Sequence, residues 1–375
     1  MKKIIQILWL LGGVICLAFC VLRFDTRAPL FKTLSGIENF LSERCLWPSD
    51  KSSCSINEKI LQEKMRAGLP NWAKEQIAKD LSQFRQLKAS DLAYYHQDPK
   101  FNMLFHFQIR NGQVMTKHKD NLNILPAYKI MYDAFQYLAA RKYLPDTEFL
   151  VGLGDYFKSG GKSPVPIFVF ARDEADLFEQ DLVLMPDWMN LRSISNLRPR
   201  IKRAIKNFPW EKKKPLVFWR GSEACSTGFR QKLVVLSTQF PEQIDAKFVD
   251  KQAIKFVEPE DHLRYRYLIS VDGVRCTWVR LVWHLHSNSL VFKHQSSQKQ
   301  WFYAGIKPYV HYIPVQDERA LLKEIHWANE HPIQVRSMIE RSIQFSEDNL
   351  ALEDMYHYLI ILLQEYSKKF ERVKK

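Results

Sequence analysis

The run from Ile4 to Leu22 is nineteen residues without a charge, with Gln6 as its one polar interruption. At about 1.5 Å per residue, a helix of that length spans the roughly 30 Å hydrocarbon core of a bilayer, so residues 1–22 read as a transmembrane anchor. A cleaved signal peptide is the alternative. The run is longer than an ordinary signal h-region, however, and it ends at Phe19-Cys20-Val21-Leu22-Arg23 without a small-x-small cleavage pattern. Lys2 and Lys3 precede the run and Arg23, Arg27 and Lys32 follow it, which leaves the orientation open. Residues 23–89 predict a stem that passes, from Glu58 to Ala89, into helix with apolar and charged residues at helical spacing.

Beyond the stem the period changes. Tyr94 to Ile109 and Gln113 to Lys117 predict strands around an Asn111-Gly112 turn, and Ala127 to Tyr143 a helix. Short apolar runs follow at Phe149 to Leu153, Pro166 to Phe170 and Leu182 to Met185. The first ends in Gly154-Asp155-Tyr156 and the last in Pro186-Asp187-Trp188. After a basic linker near residue 200, Leu216 to Trp219 predicts a strand running into Arg220-Gly221-Ser222, with a helix from Gly228 to Thr238 behind it. Tyr265 to Val271 repeats that grammar, ending in Asp272-Gly273 before a helix from Thr277 to His286. Ser289 to Lys293 and Val310 to Val315 are further strands. Arg319 to Asn329, Pro332 to Asn349 and Glu353 to Arg372 close the chain as helices. Repeated strand, turn, helix, strand units predict an α/β fold with mostly parallel sheets in two halves, residues 90–205 and 206–345, ahead of a C-terminal helix in 346–375.

Composition narrows the function classes. Of 375 residues, 46% are hydrophobic and 13% aromatic, which describes a folded chain with a substantial core. The net charge of +14 points to an anionic partner, nucleic acid, phospholipid headgroups, a phosphorylated glycan or a nucleotide phosphate, and does not by itself choose among them. Arg192 to Lys214 carries nine Lys or Arg against the single acid Glu211; this reads as a solvated basic face, not a nucleic-acid site. The six cysteines lack C-x-x-C spacing, so zinc and redox motifs are absent. Cys45 and Cys54 are either a disulfide or a reduced pair, according to the compartment.

The candidate chemistry lies at strand ends. In an open α/β sheet, ligands bind outside the carboxyl ends of the strands, which makes Asp155 a candidate carboxylate and Asp187 a second. Arg220-Gly221-Ser222 and Asp272-Gly273-Val274 place main-chain N–H groups, a hydroxyl and guanidinium groups near helix starts, where phosphate is held. No G-x-G-x-x-G follows a strand and no Walker lysine loop exists, so dinucleotide dehydrogenases and P-loop enzymes have no support. Asp272 reads as a cap for the following helix, Cys276 as a small apolar neighbour, and Trp301 and His311 as core.

Taken together, several blocks resemble glycosyltransferase family 90, the capsule-associated-protein family that includes protein O-glucosyltransferases and bacterial lipopolysaccharide-modifying transferases. They are Phe218-Trp219-Arg220-Gly221-Ser222, Tyr267 to Gly273, Cys276-Thr277-Trp278 with Arg280-Leu281, Ser287 to Lys293, Gln300 to Tyr303 and Lys307 to Val315. The resemblance implies a GT-B-type fold of two Rossmann-like domains and an inverting transfer from a UDP-sugar, glucose being the first guess, without metal or other cofactor. It implies Asp155 as catalytic base, although Gly154 stands where the family has Arg. Ser222, Arg230 and the segment Val274, Arg275, Cys276, Thr277, Trp278 and Arg280 are the implied donor-binding residues, with two extra residues before Arg230 and Arg280 one place later than in animal members. Asp187 and Trp188 are possible acceptor-side residues. The bacterial wording suggests a lipopolysaccharide or other envelope glycan as acceptor, with the domain on the cytoplasmic face of a bacterial inner membrane. The alternatives are a protein O-glucosyl- or xylosyltransferase in a Golgi or ER lumen, or a non-catalytic, membrane-anchored binder of acidic glycans.

Overall fold

The computed structural model describes residues 56–92, 104–117, 126–154, 163, 165–223, 228–249, 257–273 and 275–370. The predicted anchor, Cys45, Cys54, Asp155 and Val274 lie outside them. Among the described residues no helix is long and apolar enough to cross a membrane. The predicted helical stretch 58–89 divides into α1 (Glu58–Ala67) and α2 (Asn71–Leu81). Gly68, with φ of 77°, closes α1, and Pro70 precedes α2 in an extended conformation that cannot continue a helix.

The first half forms β1 (Leu104–Arg110), β2 (Gln113–Lys117), α3 (Pro126–Ala140), β3 (Thr147–Gly152), β4 (Ile167–Val169), the two-residue β5 (Arg172–Asp173) and β6 (Leu182–Leu184). Its five-stranded sheet has the order β2-β1-β3-β4-β6. β3, β4 and β6 are parallel, whereas β1 runs antiparallel to both β2 and β3. Only three of the five strands therefore follow the Rossmann pattern expected of this half. β3, β4 and β6 are buried along their whole length, which is why they read as short continuous apolar runs and not as alternating ones.

The segment expected to be a linker near residue 200 is instead mostly helix, α4 (Trp188–Ile205). Leu191, Ile194, Leu197, Ile201 and Ala204 form its buried stripe at helical spacing; Lys202 and Arg203 are exposed, and Arg192, Arg198 and Arg200 half-buried.

The second half contains β7 (Lys214–Gly221), α5 (Gly228–Gln239), β8 (Ile244–Phe248), α6 (Pro259–His262), β9 (Tyr265–Ser270), α7 (Val279–His284), β10 (Leu290–His294), β11 (Gln298–Lys299), β12 (Ile313–Val315), α8 (Glu318–Glu330), α9 (Pro332–Asn349) and α10 (Leu352–Ser367). Its sheet is parallel throughout, in the order β12-β10-β9-β7-β8. Val217, Trp219, Tyr267, Ile269, Phe292 and Ile313 from the sheet pack with Leu233 of α5, Leu321 of α8 and Met338 of α9 in one core cluster. α10 turns back to the first half. The Tyr366 hydroxyl donates to the Glu148 carbonyl at 2.8 Å, and the Tyr366 ring meets Phe168 edge-on at 5.1 Å.

α2 is fixed to the first sheet by a buried charge pair. Asp80 accepts from the Arg172 guanidinium at 2.6 Å and from the Leu184 N–H at 3.2 Å. Removing the carboxylate leaves the buried Arg172 charge with only the more distant, exposed Glu174 carboxylate at 3.8 Å, so Asp80→Ala is expected to cost about 3–5 kcal/mol in a urea titration. The double variant Asp80→Leu/Arg172→Met, which removes both charges, is expected to recover most of that loss.

Candidate functional site

In the second sheet, β7 is followed by β8 on one side and by β9 on the other. The strand order therefore reverses between β7 and β9. At such a reversal the connections leave in opposite directions and open a crevice at the carboxyl ends, the place where α/β sheets bind ligands. Two of the predicted turns border it: β7 ends at Gly221 with Ser222 next, and β9 leads into Val271-Asp272-Gly273. Ser222 is exposed there.

Arg230, in the first turn of α5, spans the two strand ends. Its Nη1 donates to the Ser222 carbonyl at 3.1 Å, its Nη2 to the Val271 carbonyl at 3.2 Å and its Nε to the Asp272 carbonyl at 3.1 Å. Its predicted role was to hold donor phosphate, yet three of its donors are spent on main chain. Both turn glycines are required for space. A Cβ on Gly273 would lie 2.9 Å from Arg230 Nη2, and one on Gly221 would lie 2.3 Å from the Trp219 ring. Arg220, beside that turn, pairs instead with Asp245 of β8 at 2.8 Å.

The segment from Arg275 to Trp278 is mostly buried and anchored by its side chains. Arg275 makes a two-pronged pair with Glu179 at 2.7 and 2.6 Å, and its Nη1 also donates to Gln298 at 3.4 Å. The structure thus assigns its guanidinium to a carboxylate of the first half. Cys276 is buried as expected, with its thiol pushed up by burial, so it is no thiolate at neutral pH. The Thr277 hydroxyl is hydrogen-bonded to that of Ser270 at 3.0 Å. Trp278 has φ of 50° and ψ of −126°, a conformation that a bulky residue adopts only when its surroundings impose it. It also stands at the N-cap of α7, so Asp272 does not cap that helix as expected. Asp272 is buried and accepts from the Ser296 hydroxyl; burial raises its pKa, while Lys293 and Ser296 oppose the shift.

Arg280, in the first turn of α7, differs from the other three arginines. Among the described residues its guanidinium has no ion-pair or hydrogen-bond partner, although it retains some exposure. Burial, and then the charge of Arg230, push its pKa down to about 9. A guanidinium stays protonated at neutral pH, so the shift measures how poorly the surroundings tolerate that charge without an anion. Behind it stand two neutral histidines. His262 lies edge-on to Phe218 and Trp283, with centroids at 4.7 and 5.2 Å, and burial, then Arg280, lower its pKa to about 3. His284 is lowered further, by burial, Arg280 and His262 in that order.

On the first sheet, Asp187 is wholly buried and caps α4. Its Oδ1 accepts from the Asn190 N–H at 2.9 Å and its Oδ2 from the Asn190 side chain. Trp188 is also buried, at the start of the helix. Neither faces solvent in this structure. The signal for this was local: Asp followed three residues later by the N–H it caps. Glu179, by contrast, was not foreseen, because nothing near it in the sequence names its partner.

The chain matches the profile of Glycosyl transferase family 90 over residues 70–374. It belongs to that family. Protein O-glucosyltransferase 2 of Danio rerio is 29% identical over 320 residues, covering 78% of this chain and 61% of that protein. The O-glucosyltransferase rumi homolog of Aedes aegypti is 28% identical over 257 residues, covering 60% of this chain and 62% of that protein. The chain thus spans about three fifths of the length of these curated relatives. A glycosyltransferase structure from Rickettsia africae ESF-5 aligns at 10% identity over 67% of this chain and 84% of that one, with a TM-score of 0.34, too slight a likeness to carry an argument.

The histidines behind Arg280 give the site a pH signature. An unfolded imidazole takes up a proton below about pH 6.5, whereas folded His262 does so only near 3. The unfolded state therefore binds more protons in that window, and stability, full above about pH 6.5, is lost as pH falls through it. His286 and His294, lowered by burial to about 4, act in the same sense. Urea titrations from pH 7.5 to 4.5 are expected to show a slope that His262→Phe reduces by up to about 1.4 kcal/mol per pH unit. An unchanged slope would place His262 in water.

Proposed function

We propose that this family 90 chain is an inverting glycosyltransferase that takes a sugar from a UDP-sugar, glucose being the first candidate, and passes it to an acceptor hydroxyl. The observation that carries this reading is Arg280: a half-buried guanidinium with no partner among the described residues, beside a second guanidinium, at the strand-order reversal that also exposes Ser222. A site that holds an uncompensated positive charge favours an anion, and a planar guanidinium matches two phosphate oxygens at once. As the nucleoside diphosphate leaves, its charge grows next to Arg280, so the interaction strengthens toward the transition state. Arg280 then supplies the counter-charge without a divalent cation or other cofactor. Arg230 holds Ser222 and the Asp272-Gly273 turn at fixed spacing, and the segment 274–278 encloses the donor.

Asp155 is the proposed base. It follows Gly154, just beyond the carboxyl end of β3 in the first sheet, where a carboxylate can take the proton of an acceptor hydroxyl while the leaving group departs from the opposite face. This division, with acceptor on the first sheet and donor on the second, is the GT-B arrangement; the reversal point of the second sheet supports it. For the acceptor, an envelope glycan such as lipopolysaccharide is supported by the charge of +14 and by the exposed Lys202 and Arg203 at the end of α4 and Lys206 just after it. The names of the relatives, protein O-glucosyltransferase 2 and the rumi homolog, favour a second reading, a protein hydroxyl. The predicted membrane anchor, and the side of the membrane on which the domain works, belong to the same proposal: the cytoplasmic face for an envelope glycan, a secretory lumen for a protein.

Thermal unfolding with UDP and a panel of UDP-sugars tests the donor. At about 100 times Kd, stabilisation is expected to reach about 2.7 kcal/mol. Arg280→Met is expected to weaken UDP binding by about 1.5–3 kcal/mol, the contribution of a charged hydrogen bond. Asp155→Asn is expected to keep UDP binding and lower transfer by about a hundredfold or more, within the range of general-base catalysis. A chain that binds no donor, or an Asp155→Asn variant as active as the wild type, would sink the enzyme reading and leave a glycan-binding protein. Transfer to a glycan but not to a folded protein domain, or the reverse, decides between the acceptors.

A further inference from the structure

Arg275 and Glu179 lie 96 positions apart, one before the donor-side α7 and the other in the turn between β5 and β6. Both are buried, at 6% and 1% side-chain exposure, and they face each other in parallel N–H···O contacts. The carboxylate is itself held, since its Oε2 accepts from the Asp173 N–H at 2.6 Å. Gln298, which accepts from Arg275, donates to Asp173 Oδ2 at 2.9 Å, and β5 pairs antiparallel with β11 through Asp173 and Gln298. A small closed network thus joins the turn after β5, the strand β11 and the loop that begins at Arg275.

We propose that Glu179 is a positioning residue for donor binding, acting through Arg275 to set the conformation of the loop that leads to Arg280. This rests on the donor reading given above. Three observations on that loop make the case. Arg275 anchors its start and Thr277 its middle, the latter through Ser270. The next residue, Trp278, is held at φ 50°, a conformation that relaxes once its flanking anchors are released. Arg280 follows two residues later with no described protein partner to fix its direction. The aim of the Arg280 guanidinium therefore depends on the backbone before it, and that backbone depends on a carboxylate from the other half of the molecule. A carboxylate is suited to this task because it meets both prongs of the Arg275 fork, so it sets orientation as well as distance.

Three proteins test this: the wild type, Glu179→Gln, and the double variant Glu179→Met/Arg275→Met, which leaves no buried charge unpaired if the single change fails to fold. For each, the measurements are the melting temperature, the Kd for UDP, the donor KM and kcat, and hydrogen exchange of the peptide containing residues 274–280. Exchange there is expected to rise in both variants, with Kd and donor KM up about tenfold, within the range of coupling between residues in contact, and kcat at saturating donor changed less than about threefold. A lowered melting temperature with unchanged exchange, Kd and KM would mean that the pair only holds the fold together, and would overturn the proposal. If the wild type binds no UDP, the donor reading fails by itself, and the exchange comparison still decides whether the clasp orders the loop.

Discussion

Parallel strands all release their last carbonyls at the same edge of a sheet, and at the β7–β9 reversal those carbonyls belong to Ser222, Val271 and Asp272. One guanidinium, Arg230, donates to all three. That single side chain sets the spacing of the two turns bordering the crevice and leaves no room for a side chain on Gly273. It also places a fixed positive charge in the crevice wall. The depressed pKa of Arg280 and the neutrality of the two histidines behind it follow from putting further basic groups in the same poorly hydrated region. Remove the clip, and both the shape of the crevice and its charge would change.

Four arginines, Arg220, Arg230, Arg275 and Arg280, lie on the β7–α5 and β9–α7 segments, and composition alone gives each an equal claim to a phosphate. Their partners separate them. Arg220 pairs with Asp245, Arg230 serves main-chain carbonyls and Arg275 pairs with Glu179. Arg280 is left as the one whose charge no described carboxylate answers. Satisfied groups hold the turns in place, while the uncompensated one is the group proposed to supply affinity for an anion.

What was legible in the sequence was the local part. The apolar runs at Phe149 and Tyr265 appear as β3 and β9 because strands buried on both faces need no partner information to be seen. The glycines of the two turns were visible for the same reason. α4 reads as a linker because five basic residues and Pro199 mask its apolar stripe, and β8, a five-residue strand of mixed polarity, carries too weak a signal. The partners of Arg275 and Asp187 do not follow from residue type alone. Their residue types suit phosphate and acceptor chemistry, but what a charged side chain does is decided by its partner. For Arg275 that partner stands 96 positions away.

The same distinction bears on the proposal that the two halves act as one site. A base on the first sheet and an anion site on the second can serve one reaction only if their separation is held closely, since a small misplacement of reacting groups costs rate steeply. Loose linkers cannot do this, and the chain does not rely on one. After completing the second half it sends α10 back to the first sheet, where Tyr366 bonds to Glu148 in β3, the strand that leads to Asp155. The β5–β11 pairing and the Arg275–Glu179 clasp join the halves a second time, beside the donor loop. One connection anchors the base strand and the other the loop carrying Arg280. The spacing on which the proposed chemistry depends is thereby set by contacts remote in sequence from every residue that would touch the substrate.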